Sequence, residues 1–432
     1  MKLEIQMAKK PKVTFSKHID AAVRHRIFRA LQEATQINVE GQISWGIGGE
    51  VDQHISVLRD AFEFPEELSS KECAKAVWRG LLDARKKGDL TDSSVMEELQ
   101  RLADTVLAQK LRRYSMWSRV SYKPLINSRE EKFNYDDVSI KLASHLPTYM
   151  LLSSDQMSDL RPIPVKDKPN FGYIVAATTA RNETHAADKI FRSTEIFQAV
   201  YNLVLKTWNL IGSEQKPEAL MLMGPYHFLF REKKSLHTET LWYNPAFRDE
   251  HWGSSSGDSK KIYETAQTVR DALAKLENHP LKEPISSALL MMNDGMQSAD
   301  MSRRTLRYWT AIERLFQADN ERVSYENIIK RATYLEDAES LAKAKLARLV
   351  RIRNRYVHMG ATENEHHQLT QYLADHVRRH LFYILFNGDD FTDHSEFLEM
   401  TKLPSDAETL KRQRNAIDRR ERMIEKGRHR ND

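Results

Sequence analysis

The chain has 432 residues, with 66 Lys and Arg against 61 Asp and Glu for a formal charge of +5, and 41% of its residues are hydrophobic. Only 15 Gly and 13 Pro occur, where average usage would supply about 50 together; this excludes collagen-like, low-complexity and loop-dominated chains and favours helices. At about 100–200 residues per domain, the length allows two to four domains, each with its own core.

The opening residues Met1–Lys10 lack the apolar centre of a secretory signal. The longest apolar runs, such as Ala219–Gly224, are too short to span a bilayer. A cytoplasmic protein without a membrane segment is expected. Residues 1–114 read as a helical region. Ala21–Ala34 places Val23, Ile27, Phe28 and Leu31 at helical spacing. The segment Trp45-Gly46-Ile47-Gly48-Gly49 lacks the Lys-Ser/Thr of a phosphate loop and reads as a turn. A second helix spans Ser69–Lys87, and a third, capped by Asp92-Ser93-Ser94, is expected to run to about Arg113. Cys73 is the only cysteine, so no intramolecular disulfide or Cys-based zinc set exists. It reads as a packed thiol.

Residues 115–248 change character. Phe171–Thr179 and Ala219–Phe230 read as strands, with Val138–Leu142 and Leu241–Tyr243 as weaker ones and a helix over Ala186–Leu210. The Gly/Ser-rich stretch at 249–261 reads as a linker. Residues 262–388 carry six helical patterns with short polar connections, which predicts an antiparallel bundle. Residues 389–432 form an extension. The fold expected is therefore mainly α, with a smaller mixed α/β middle module and a C-terminal antiparallel helical bundle.

The most informative stretch is Arg351-Ile352-Arg353-Asn354-Arg355-Tyr356-Val357-His358-Met359-Gly360. On an ideal helix with Leu349 at zero, Leu346, Ile352, Tyr356 and Val357 fall within about 80° and form a buried stripe. Arg351, Asn354 and His358 fall at about 200°, 140° and 180°, on the opposite face, with Asn354 and His358 as i,i+4 neighbours. Arg353 sits near the edge of the stripe, so it must reach past the core or find a partner. One reading is a solvated cationic face at a helix C-terminus. The other is an anion site. His moves protons near neutral pH, Arg stabilises charge on a phosphate, and Asn orients either. RNA cleavage by its own 2′-OH needs those groups and no metal. One set lacks a second proton-transfer group, which a second copy would supply.

Arg353-Asn354-Arg355-Tyr356-Val357-His358 resembles the R-N-x-x-x-H signature of HEPN domains, and more particularly of the Apea-like HEPN branch of abortive-infection and anti-phage proteins. Upstream, Trp309-Thr310-Ala311-Ile312-Glu313-Arg314-Leu315-Phe316 is similar to that family's earlier helix, which closes on an aliphatic-Glu-x-Leu-Phe pattern. The resemblance implies a metal-independent endoribonuclease, active as a homodimer without a cofactor and toxin-like in antiviral defence. Arg353, Asn354 and His358 of each subunit would line a shared cleft, and cleavage would leave a 2′,3′-cyclic phosphate. Arg351 and Arg355 flank the motif as further RNA-binding candidates. The alternative is a non-catalytic HEPN protein that binds RNA or a protein partner.

His376 and His380 are i,i+4, but no His-Glu-x-x-His is present and two Arg stand beside them. That pair reads as part of a solvated or RNA-facing basic helix rather than a metal site. His366-His367 reads as surface. The segment Asp406–Lys426 forms a helical pattern with Leu410, Ile417 and Ile424 seven apart. Beyond Thr409 lie nine basic residues and four acids, so the charge excess belongs to this tail. Arg412, Arg414 and Arg419 are candidates for phosphate contacts. Subunit pairing and a merely solvated helix are the other readings.

Overall fold

The computed structural model describes residues 12–37, 43–45, 50–65, 67–121, 131–151, 172–205, 219–232, 241–243, 259–318, 323–336, 339–359, 367–388, 390–404 and 406–428. The Gly46–Gly49 turn, the 249–258 part of the linker and His366 lie outside them. The described chain is mostly helical, with one larger sheet in its middle. No described helix is long and apolar enough to cross a membrane. The chain clusters into two compact units.

The first unit comprises Met1–Met116, Ala177–Phe191 and Leu229–Thr240. Its helices are α1 (Ala21–Glu33), α2 (Glu50–Arg59), α3 (Ser70–Lys87) and α4 (Asp92–Leu107). Two small antiparallel pairs accompany them: β1 (Thr14–Phe15) with β4 (Phe62–Glu63), and β2 (Thr35–Ile37) with β3 (Ile43–Trp45). Phe28, Leu31, Leu58, Val77, Leu81, Val95 and Leu99 build one core. Helix α3 starts where Ser69 Oγ accepts from Glu72 N and the Glu72 carboxylate accepts from Ser69 N, satisfying two otherwise orphaned amides.

The second unit comprises Trp117–Ala176, Arg192–Phe228 and Leu241–Asp432. The larger sheet, of which Arg112–Met116, Ala177–Ala180 and Leu229–Arg231 are grouped with the first unit, runs in the order β10 (Leu241–Tyr243), β9 (Met223–Arg231), β5 (Arg112–Val120), β8 (Gly172–Ala180), β7 (Val138–Ala143) and β6 (Glu131–Tyr135). Backbone bonds from Glu232 N to Arg113 O and from Ser121 N to Leu222 O set β5 and β9 antiparallel. Helix α5 (Glu183–Val204) follows β8, and the chain returns in β9 with β5 between the two. Trp117 stacks on Phe228 with ring centroids 4.3 Å apart, and Phe133 meets Phe197 at 4.8 Å.

The bundle consists of α6 (Ser259–Glu277), α7 (Lys282–Gln297), α8 (Met301–Phe316), α9 (Tyr325–Ala332), α10 (Glu339–Met359) and α11 (His367–Asn387). Only Ser298–Asp300 joins α7 to α8, so the two pack as antiparallel neighbours. They approach closely where Gly295 faces Tyr308. A Cβ built at Gly295 would stand 2.6 Å from Tyr308 Cε1. Gly295→Ala is therefore expected to cost about 1–3 kcal/mol through overpacking, measured by urea denaturation; an unchanged midpoint would refute so tight a contact. Two helices follow the bundle, the short α12 (His394–Met400) and the long α13 (Ala407–Arg428), of which the sequence pattern predicts only the second.

Several expectations need correction. The third helix stops at Leu107, and Arg112–Val120 is the central strand β5, because Tyr114 through Ser118 are buried in succession. The cap of α4 is Thr91, with Ser94 completing the box. Ser259–Lys261 belong to α6 rather than to the linker. Within the second unit, residues on both sides of the 249–261 stretch pack together. Tyr135 Oη and Ser286 Oγ lie 3.4 Å apart, and Asn202 Nδ2 donates to Asn293 Oδ1 at 2.8 Å, so sheet, α5 and bundle share one core.

Candidate active site

Helix α10 buries Ala342, Leu346, Leu349, Val350 and Ile352. Tyr356 is half-buried, while Val357, expected in the stripe, is 47% exposed. The reason is position, since Val357 lies in the last turn with the exposed Arg355 and His358 as neighbours. Arg351 is exposed and Asn354 half-buried.

Arg353 finds the partner that its place on the helix requires. Its side chain is only 20% exposed, and Nη2 lies 3.9 Å from Glu313 Oε1. Nη1 donates to Asn354 Oδ1 at 3.1 Å, and the guanidinium stands 5.5 Å from the centre of the Tyr325 ring. Its Nε is buried without a hydrogen-bond partner. Glu313 in turn accepts from Trp309 Nε1–H at 2.9 Å. Burial raises the Glu313 carboxyl above its ordinary range, outweighing Trp309 and the nearby arginines, which act downward. Trp309, Glu313, Tyr325 and Asn354 thus form a polar-aromatic socket that holds one guanidinium.

Asn354 is engaged by Arg353, and no hydrogen bond joins it to His358 among the described residues. His358 is exposed and makes no hydrogen bond to the described chain. It stands five positions after Arg353, which on a regular helix means about 140° of rotation and about 7.5 Å of rise. One copy therefore presents the fixed cation and the free imidazole on different faces of α10. The sequence pattern by itself assigns no role to Glu313 or Tyr325. The only sequence signal for either was the need of Arg353 for a partner.

His376 and His380 do not form a solvated basic face. They are 0% and 1% exposed, and their rings lie 4.3 Å apart inside the bundle. His376 Nδ1–H donates to Glu336 Oε1 at 2.9 Å, and Arg379 Nη2 donates to the same oxygen at 2.8 Å. His380 Nδ1 donates to the His376 carbonyl at 2.8 Å, and burial holds its imidazole down at about 3, hence neutral. Among the described residues no group of three or more His, Cys, Asp and Glu is arranged to hold a metal ion. Cys73 is half-buried, and burial pushes its thiol up to about 11, as a packed thiol requires.

On α13, Arg412 pairs with Glu408 at 3.3 Å within its own helix, and Arg414 and Arg419 are exposed. Ile417, Met423 and Ile424 are also exposed, at 59%, 74% and 49%. Set beside known protein families, curated proteins and solved structures, the chain matches none of them.

Proposed function

We propose that the chain is a metal-independent endoribonuclease of HEPN type, with Arg353 binding the scissile phosphate, His358 moving the proton and Asn354 orienting Arg353. The observation that carries this reading is the socketed Arg353 on the same helix as an exposed His358 that makes no hydrogen bond among the described residues. A structural arginine needs no such neighbour, and a solvated face needs no socket. The 2′-OH of RNA is the nucleophile, so the protein has to supply proton transfer and phosphate stabilisation.

The active form is a homodimer. Arg353 of one protomer would face His358 of its partner, which resolves the angular separation along α10, and a second imidazole supplies the second proton transfer. Exposed Val357 beside His358 gives such an interface an apolar contact. Arg351 and Arg355 would guide the RNA backbone, with Arg412, Arg414 and Arg419 of the tail as further phosphate contacts. The role is that of a cytoplasmic, toxin-like effector in antiviral defence, a reading that rests on the resemblance of the motif.

The test incubates purified protein with RNA in excess EDTA and identifies the ends formed. Cleavage leaving 2′,3′-cyclic phosphate and 5′-hydroxyl ends, absent in His358→Ala, is the expected result. Equal cutting by wild type and variant would sink the proposal. RNA binding without cleavage would favour the non-catalytic alternative.

A further inference from the structure

A cavity of about 780 Å³ lies wholly within the first unit, between α3, the end of α4 and the start of α5. Its size is that of a small-molecule site, for which about 300–1,000 Å³ is usual. The lining is strongly cationic. Lys71, Lys75 and Arg79 come from α3, Arg112 from β5, Arg181 from the turn before α5 and Arg231 from the end of β9.

The two acids in the wall do not balance these charges. Glu72 is committed to the cap of α3 and accepts from Asn182 Nδ2. Glu183 pairs with Arg231 at 3.9 Å. Arg181 Nε donates to the Leu107 carbonyl at 3.0 Å, which fixes its guanidinium at the wall. Lys71, Lys75, Arg79 and Arg112 form no ion pair among the described residues, although they converge on one concavity. Cations gathered in this way repel one another, and an anion placed among them relieves that repulsion. The same wall also carries apolar side chains at Ala76, Leu102 and Val106, a surface suited to a flat ring rather than to more charge.

We infer that this cavity binds a small molecule carrying two or more phosphates, of the nucleoside polyphosphate class. The phosphates lie against Arg79, Arg112 and the α3 lysines, and the base lies toward Leu102 and Val106. The inference stands on the first unit alone and is independent of the ribonuclease reading.

Isothermal titration of the full chain tests it with ATP, inorganic tripolyphosphate, adenosine and a ten-nucleotide RNA as probes. ATP and tripolyphosphate are expected to bind, adenosine at least about 100-fold more weakly, and binding is expected to weaken as salt rises. Arg79→Glu and Arg112→Glu should each lower ATP affinity about tenfold or more at unchanged melting temperature. Both side chains are exposed, so the fold is spared; Lys75→Gln, with a smaller loss expected, serves if a reversal perturbs it. No heat with either polyphosphate, binding unchanged in every variant, or binding of the RNA alone would overturn the assignment.

Discussion

His358→Ala is expected to lower the RNA cleavage rate about 10²–10⁴-fold, the usual worth of a general acid or base. Because His358 is exposed and makes no hydrogen bond to the described chain, its loss should leave the melting temperature unchanged. Arg353→Ala should abolish activity to a similar degree but also destabilise, since it leaves the half-buried Glu313 without its cation. Arg353→Lys keeps the charge yet loses the planar fork that spans Asn354 and Glu313, so it should not rescue. Mixing the two alanine variants separates a shared site from one contained in a single chain. Random re-pairing makes about half of the dimers mixed, each with one Arg353 facing one partner imidazole but without the second imidazole, so a gain over both components, to no more than about one quarter of the wild-type rate, is expected if Arg353 acts with the partner's imidazole. A site contained within a single chain gives no gain at all.

Glu336→Ala is expected to destabilise the second unit by about 3 kcal/mol at pH 7, the lower end of the cost of breaking a buried pair. The variant strands His376 Nδ1 in the bundle interior, where His376 Nε2 already lacks a partner, and it frees Arg379. His376 and Arg379 hold the Glu336 carboxyl down at about 2. A depressed carboxyl stabilises above the unfolded value, near 4.5, and loses that contribution as pH falls toward 2. The difference between wild type and Glu336→Ala should therefore be full at neutral pH and shrink below about pH 4.5. Chemical denaturation at pH 7 and pH 3 measures it. A difference independent of pH would mean that the loss is one of packing rather than of charge.

The helices were legible in the sequence because their apolar residues recur at helical spacing. The strand–helix–strand segment from Gly172 to Arg231 was equally readable. Arg112–Val120 was not, since five consecutive buried residues erase the alternation that marks a strand covered on one face only. Glu131–Tyr135 does alternate, but its first inward residue is a glutamate, which burial pushes up to about 7. The buried histidines were hidden by their flanking arginines, and their acidic partner comes from a segment 40 residues earlier. For the candidate site, the sequence indicated that Arg353 needs a partner. Which side chain serves follows only from the packing of α8 and α9 against α10.

The exposed basic helix at the end of the chain also bears on how the protein behaves on a column. Residues 411–424 are exposed throughout, and the 408 residues before Thr409 carry balanced charge. The isoelectric point of 8.9 is thus a property of one trypsin-accessible helix. Proteolytic trimming there would remove the charge excess and move the chain from a cation exchanger into the flow-through. Retention on that resin therefore reports whether the last helix is intact.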